Sequence, residues 1–402
     1  MEAADPSVWQ RDEVQQWLRD HSHEASAALS LQKSPFPEGP TSAQLAQQVA
    51  GWQKAKGKLP TYAQTPGIAY PPSLSMEQCS SEDTARWKAQ RLQGNTIADL
   101  TAGFGVDAFF LGENFEHLHL VEQNPLLAQL AQHNLGLLRS QPFTVHHGTS
   151  EAFLDSLPSR LDWIYLDPAR RDADGGRVFR LEQCSPDAAA LRKQMLALSK
   201  RVLLKASPVL DIQQALEDLG GAERVTVLAV RNEVKELLFW LGPNPTDDPE
   251  IEAVNLTATG EEHFSFRRSQ EAVAQATYGP LSDWIFEPNA AILKAGAFRQ
   301  ISQQFGLTKL HPNTHLYTAP ADQPNFPGRR FRVLGEATAQ KKALKKWLKE
   351  PTAMVGTRNF PMSAPQLRTK LGLKEGGSRY IMGFTNHEDQ KRLAILEPNL
   401  GD

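Results

Sequence analysis

The spacing of apolar residues changes twice along this chain. Residues 1 to about 93 show no strand-like alternation. They predict short helices broken by prolines at Pro35, Pro37 and Pro40, at Pro60 and Pro66, and at Pro71 and Pro72. Within this region 73–92 predicts a capped helix. Ser80 or Ser81 is its N-cap, and Glu82 and Asp83 occupy the first turn, where the helix dipole favours acids. From Thr96 onward, short apolar runs alternate with helical stretches. The predicted strands are 96–101, 117–122, 142–147, 161–167, 201–206, 223–230 and 236–241. Helical stretches follow the first five, among them 124–138, 187–199 and 209–219. Strand, helix and strand at this spacing predict an α/β fold with a parallel, doubly wound sheet. Only Arg231 to Lys235 separates the last two strands, which suits antiparallel neighbours and is too short for a parallel crossover.

After Pro243 the texture changes again. Residues 251–270 alternate as a hairpin would, 289–305 predicts a helix and 315–319 a strand. From Arg330 the order is strand 331–335, lysine-rich helix 338–349, strand 352–357, helix 363–371, and strands 378–384 and 392–395. Four regions result: a helical N-terminal region (1–93), a sheet domain (94–245), a hairpin with a small module (246–325), and an α+β domain (328–400).

Composition narrows the setting. The 402 residues exceed one ordinary domain. No apolar run approaches the roughly 20 residues of a membrane helix, so no membrane partner is expected. The first residues, MEAADPS, are acidic and polar and do not read as a secretory signal. Cys79 and Cys184 are the only cysteines, which gives neither a disulfide framework nor a zinc site. A cytoplasmic protein without a metal is the expectation. The net charge of −3 hides an asymmetry, because 329–379 holds 13 Lys and Arg against 3 Asp and Glu. Segregated charge of this kind points to a polyanion. Lys341, Lys342, Lys345, Lys346 and Lys349 also lie at helical spacing, so a solvated helix face is the alternative.

The run IADLTAGFGVD (97–107) reads as a buried strand that ends in an acid and breaks into a glycine loop before a helix. Gly103 and Gly105 have no Cβ to keep a ligand from the backbone. A dinucleotide fingerprint would want a third glycine where Ala108 stands, and a phosphate loop would want Gly-Lys-Ser/Thr, which is absent. S-adenosylmethionine carries a cationic amine and a sulfonium in place of phosphates, and an acid at the strand end suits it. Asp99 fits that role, with Thr101 and Ala102 in the loop and Asp107 as a second acid. Glu122 ends the next strand 15 residues past Asp107, near the spacing at which a carboxylate meets ribose hydroxyls, and Gln123 can edge the adenine. A purely structural turn is the bland reading of the loop.

The run LDWIYLDPARR (161–171) ends another buried strand at the same sheet edge. With this run the chain resembles class I S-adenosylmethionine-dependent methyltransferases, specifically the bacterial family with a THUMP-like C-terminal domain. The motifs are EQCSSEDTARWKA (77–89), DLTAGFGVD (99–107), VEQNPLLAQLAQHNL (121–135), YLDPARRD (165–172), LLKASPVLDI (203–212) and NEVKELLFWL (232–241). The resemblance covers about 70 to 400. It implies a Rossmann-like, seven-stranded sheet, a small ferredoxin-like module near 280–320 and a THUMP-like module from about 330. It also implies RNA, tRNA or rRNA, as partner, by analogy of fold alone.

Asp167 and Pro168 match the start of the tetrad with which amino-methyltransferases hold an exocyclic amine. Ala169 and Arg170 replace its second proline and aromatic. An Arg guanidinium can stack on a base. No cysteine nucleophile follows the next strand, which reads Lys205-Ala206-Ser207-Pro208, and Cys184 reads as a packing residue. Direct transfer to an amine needs a positioned lone pair and a proton acceptor, and Asp167 can serve both needs. Arg170, Arg171 and Lys205 are candidates for base stacking, substrate phosphate or local ion pairs, and Lys341, Lys342, Lys345 and Lys346 for RNA contact. The leading expectation is a nucleobase methyltransferase acting on structured RNA. An RNA-binding protein with a retained S-adenosylmethionine pocket is the alternative. An NAD-dependent oxidoreductase is a third, disfavoured by the antiparallel strand ending.

Overall fold

A computed structural model of the chain describes residues 5–170 and 180–398. They form two compact units, Met1–Glu223 with Leu237–Asp247, and Arg224–Glu236 with Asp248–Asp402.

The first unit is built on β1 (Gly94–Asp99), α1 (Val106–Leu111), β2 (Phe115–Glu122), α2 (Pro125–Leu138), β3 (Phe143–His147), α3 (Ser150–Ser156), β4 (Leu161–Leu166), α4 (Ala188–Leu198), β5 (Ser199–Ala206) and α5 (Ile212–Leu219). The strand order is β3-β2-β1-β4-β5, all parallel. The far end of Glu233–Leu241 pairs antiparallel with β5, Val202 facing Leu241. Strand interiors such as Ile97, Ala98, Ile164 and Leu204 have no exposed surface. Helices cover both faces of a parallel sheet, so its strands read as unbroken apolar runs rather than alternating ones. That is why the strand positions were legible to within a few residues.

The N-terminal helices pack into the same unit. One, Ser42–Lys58, is longer than the short helices predicted, and a Thr41–Gln44 capping box starts it. Its buried Gln48 exchanges two hydrogen bonds with the backbone of Tyr70 (2.8 and 2.9 Å), which hides a polar residue among apolar ones. The predicted helix 73–92 is two helices, Ser73–Gln78 and Glu82–Ala89. Ser81 caps the second, while Ser80 turns its hydroxyl to Asp107.

The second unit begins with β6 (Arg224–Val230), which leads through Arg231 and Asn232 alone, both with positive φ (49° and 63°), into β7 (Glu233–Leu241), whose residues from Leu237 onward belong to the first unit. The five-residue link expected is therefore a two-residue turn of the kind that suits hairpin twist. The hairpin foreseen at 251–270 is Glu250–Thr257 with Gly260–Phe266, and its first strand lies parallel to β6.

A second sheet of eight strands follows, from Thr277–Tyr278 to Lys391–Pro398. Two further expectations need correction. The helix 289–305 is two helices, Ala290–Ala295 and Gln300–Gln304, separated at Gly296, whose φ of +85° ends the first. The lysine-rich helix 338–349 is only Lys341–Leu344. Lysines at i and i+4 (341/345, 342/346, 345/349) repel along a helix face. Leu344, Trp347 and Leu348 pack inward onto Ile381, Leu393 and Ile395 instead.

Candidate active site

Three strands of the first unit end in acids at one sheet edge. Asp99 closes β1 and is 1% exposed, and its Oδ1 accepts the Thr101 amide at 2.9 Å. Burial raises its carboxyl well above the usual range, against the pull of that amide. The Thr101 hydroxyl accepts the Asp167 amide at 2.7 Å, which ties the end of β1 to the end of β4. Glu122 closes β2. Its Oε2 accepts the Gly103 amide at 2.8 Å and its Oε1 the Asn124 amide at 2.7 Å. Burial raises its carboxyl as well. Gln123 is exposed beside it.

Gly103 and Gly105 have φ of +56° and +93°. A Cβ on Gly103 would meet nothing within 4 Å, whereas one on Gly105 would stand 2.6 Å from Leu135 Cδ1. Gly103 thus leaves open space at the strand edge, and Gly105 serves the packing of the loop on α2. Ala102 is buried, and its amide donates to Val121. The buried Tyr62 hydroxyl donates to the Gly105 carbonyl at 3.1 Å.

Asp107 has its partners within the protein. Lys88 Nζ is 2.9 Å from Oδ1, and Oδ2 accepts the Ser80 and Tyr165 hydroxyls at 2.7 and 2.9 Å. Burial alone would raise its carboxyl. The Lys88 and Lys205 ammoniums, with Ser80, outweigh it and bring the carboxyl down to about 2. Lys205 is not a surface lysine. Its Nζ lies 2.5 Å from Asp167 Oδ2 and 3.9 Å from Asp107 Oδ2. Burial holds the Asp167 carboxyl above its ordinary range while Lys205 pulls the other way. Pro168 follows at the edge, and Ala169–Arg170 pairs with Cys184–Ser185, where Cys184 is buried. Arg171 lies outside the described residues. In the second unit Lys341, Lys342, Lys345 and Lys346 are exposed.

Sequence reasoning missed Ser80, Lys88, Tyr165 and Tyr62. The available signal was Lys88 itself, a charge between Trp87 and Ala89, all three of which are buried.

These residues fit S-adenosylmethionine. A buried acid stands where the cationic amine belongs. The Glu122 oxygens accept the Gly103 and Asn124 amides and keep lone-pair capacity for hydroxyls, and the turn at Gly103 is open. A parallel sheet closed by an antiparallel strand, with a glycine loop and acids at its carboxyl edge, defines a class I S-adenosylmethionine-dependent methyltransferase.

Comparison with known proteins is in accord. Residues 284–327 match a ferredoxin-like domain family, and 328–398 match the THUMP domain-like family. A crystal structure of a Porphyromonas gingivalis W83 protein assigned as a methyltransferase superposes with a TM-score of 0.89. It is 30% identical, over 99% of this chain and 100% of that one. An uncharacterized S-adenosylmethionine-dependent methyltransferase of Mycobacterium tuberculosis is 24% identical over 76% of this chain and 81% of its own. The ribosomal RNA small subunit methyltransferase J of Shewanella amazonensis is 33% identical over 35% of this chain and 62% of its own. The chain belongs to the S-adenosylmethionine-dependent methyltransferase family that carries ferredoxin-like and THUMP-like modules.

Proposed function

We propose that this enzyme methylates a nucleobase in structured RNA, tRNA or rRNA, with an exocyclic amine as the favoured acceptor. The observation that carries the reading is Asp167. It follows β4 at the edge that holds Asp99 and Glu122. Its Oδ2 faces Lys205, and its Oδ1 has no hydrogen-bond partner among the described residues. A carboxylate so placed can accept an amine N–H, aim the nitrogen lone pair, and take the proton released on transfer.

Bound S-adenosylmethionine supplies an electrophilic methyl group on its sulfonium. Asp99 would hold its amine, Glu122 its ribose hydroxyls, Gln123 the adenine edge, and the Thr101–Gly105 turn its body. Asp107 supports that turn from within, and Pro168 would flank the acceptor base; the side chain of Arg170, the other candidate for that role, lies outside the described residues. The RNA reading draws support from the name of the Shewanella relative, from the THUMP-like match and from exposed Lys341, Lys342, Lys345 and Lys346. The reducing cytoplasm suits the free thiols Cys79 and Cys184.

The test is transfer of labelled methyl from S-adenosylmethionine to total RNA of cells lacking the gene, with nucleoside mass spectrometry of the product. Asp167→Ala is expected to keep cofactor binding and lose transfer; Asp99→Ala is expected to lose cofactor binding. Ala169 and Arg170, which depart from the amine-methylating tetrad, favour a second reading: an RNA-binding protein with a retained pocket. Cofactor binding and RNA binding without label transfer would favour it.

A further inference from the structure

Four side chains of alternating charge run inward from the candidate site. Asp167, 32% exposed, meets Lys205 at 2.5 Å, and Lys205, 10% exposed, stands 3.9 Å from Asp107. Asp107, 8% exposed, meets Lys88 at 2.9 Å, and Lys88 has no exposed surface. Tyr165 and Ser80 complete the shell of Asp107, and Lys88 also donates to Ser80 at 3.2 Å. Removing four charges from water costs several kcal/mol per ion, and apolar residues of similar volume hold elements together at least as well. Stability does not account for such a chain. Its one member with substantial solvent contact is Asp167.

We propose that Lys205 is a positioning residue that fixes Asp167 as an ionised, acceptor-only carboxylate, and that Asp107 and Lys88 hold Lys205 from behind. The inference rests on the reading of Asp167 given above. Asp167 shares its edge with Asp99 and Glu122, and its burial and the Asp107 carboxylate favour its protonation. A protonated carboxyl has lost the capacity to take the acceptor's proton. The Lys205 ammonium opposes this and occupies Oδ2, which leaves Oδ1 for the substrate. Without Asp107, the Lys88 and Lys205 ammoniums would lose the carboxylate they share. Among the described residues, Asp99, Cys79, Tyr62 and Tyr165 are further titratable groups near this run of charges.

The full-length protein with carboxyl-labelled aspartate is titrated by NMR, following the resonance that disappears in Asp167→Asn. In Lys205→Met that resonance is expected to titrate about one pH unit or more above its native position. Lys205→Gln is the second variant should Lys205→Met not fold. In the transfer assay with labelled S-adenosylmethionine and total RNA, Lys205→Met lowers kcat about ten-fold or more. It leaves cofactor affinity unchanged and moves the acid limb of the kcat profile upward, and Lys205→Arg restores part of the rate. An unshifted resonance in folded Lys205→Met, or an unmoved acid limb, overturns the inference. If native protein labels no RNA, the RNA reading fails and the resonance shift alone decides this one.

Discussion

The Gly103 amide donates to Oε2 of Glu122 over 2.8 Å, so the cofactor turn and the acid at the end of β2 are held in one register. Truncation of Glu122 frees the Gly103 and Asn124 amides and removes the acceptor proposed for the ribose. A hydrogen bond to a charged group contributes about 1.5–3 kcal/mol. Glu122→Ala is therefore expected to weaken S-adenosylmethionine binding by about 10- to 100-fold, read by calorimetry. An unchanged Kd would remove Glu122 from the site.

The two loop glycines differ in what they resist. At Gly105 an alanine meets both a left-handed backbone and Leu135 Cδ1 at 2.6 Å; at Gly103 it meets the backbone alone. Gly105→Ala is expected to lower stability by about 2–3 kcal/mol and Gly103→Ala by about 1 kcal/mol. Denaturant midpoints measure the difference, and equal losses would contradict the packing role given to Gly105.

His119 of β2 lies between His117 and His146, its ring tilted against both, with Nδ1 at 3.1 Å from His146 Nε2. Burial first, then the neighbouring imidazoles, lowers its pKa from 6.5 to about 4. Between these values the unfolded chain binds a proton that the folded protein does not. Stability thus falls as pH drops from 6.5 towards 4, by about 1 kcal/mol at pH 5 for this half-buried group, whose solvent contact screens part of the effect. His119→Phe is expected to flatten the decline between pH 7.5 and 5 in urea unfolding. An unaltered slope would count against it.

Glu287, 3% exposed, pairs with both Arg329 and Arg358 in the second unit. Glu287→Ala leaves two guanidiniums without their common partner. The expected loss is about 2–3 kcal/mol, under the range for fully buried pairs, because the arginines keep 35% and 37% of their side-chain surface exposed. A thermal midpoint within a degree of native would show that solvent compensates.

Asp99, Glu122 and Asp167 were legible because each is the acid that stops an apolar run, and a buried parallel strand leaves just that trace. The glycine turn was legible because two positive-φ positions needed glycine. The inner partners were not. Lys88 reads as polar, and only the packing of Glu82–Ala89 on α1 turns it towards Asp107. Lys341 to Lys349 misled in the opposite direction. Spacing counts positions and ignores repulsion between them, so a helix of one turn was drawn as three. Gly296 had a similar effect: periodicity carried the pattern across a residue that ends the helix.

The hydrogen bond from Tyr62 to the Gly105 carbonyl bears on how this enzyme can be divided. Tyr62, Ser80 and Lys88 all precede the first strand, yet they fasten the cofactor turn and neutralise Asp107. A fragment beginning at Gly94 would keep the glycine loop and the acids at the strand ends and lose their underside. The sheet of this chain is not a portable cassette; its cofactor edge is built in part by the helices that come before it.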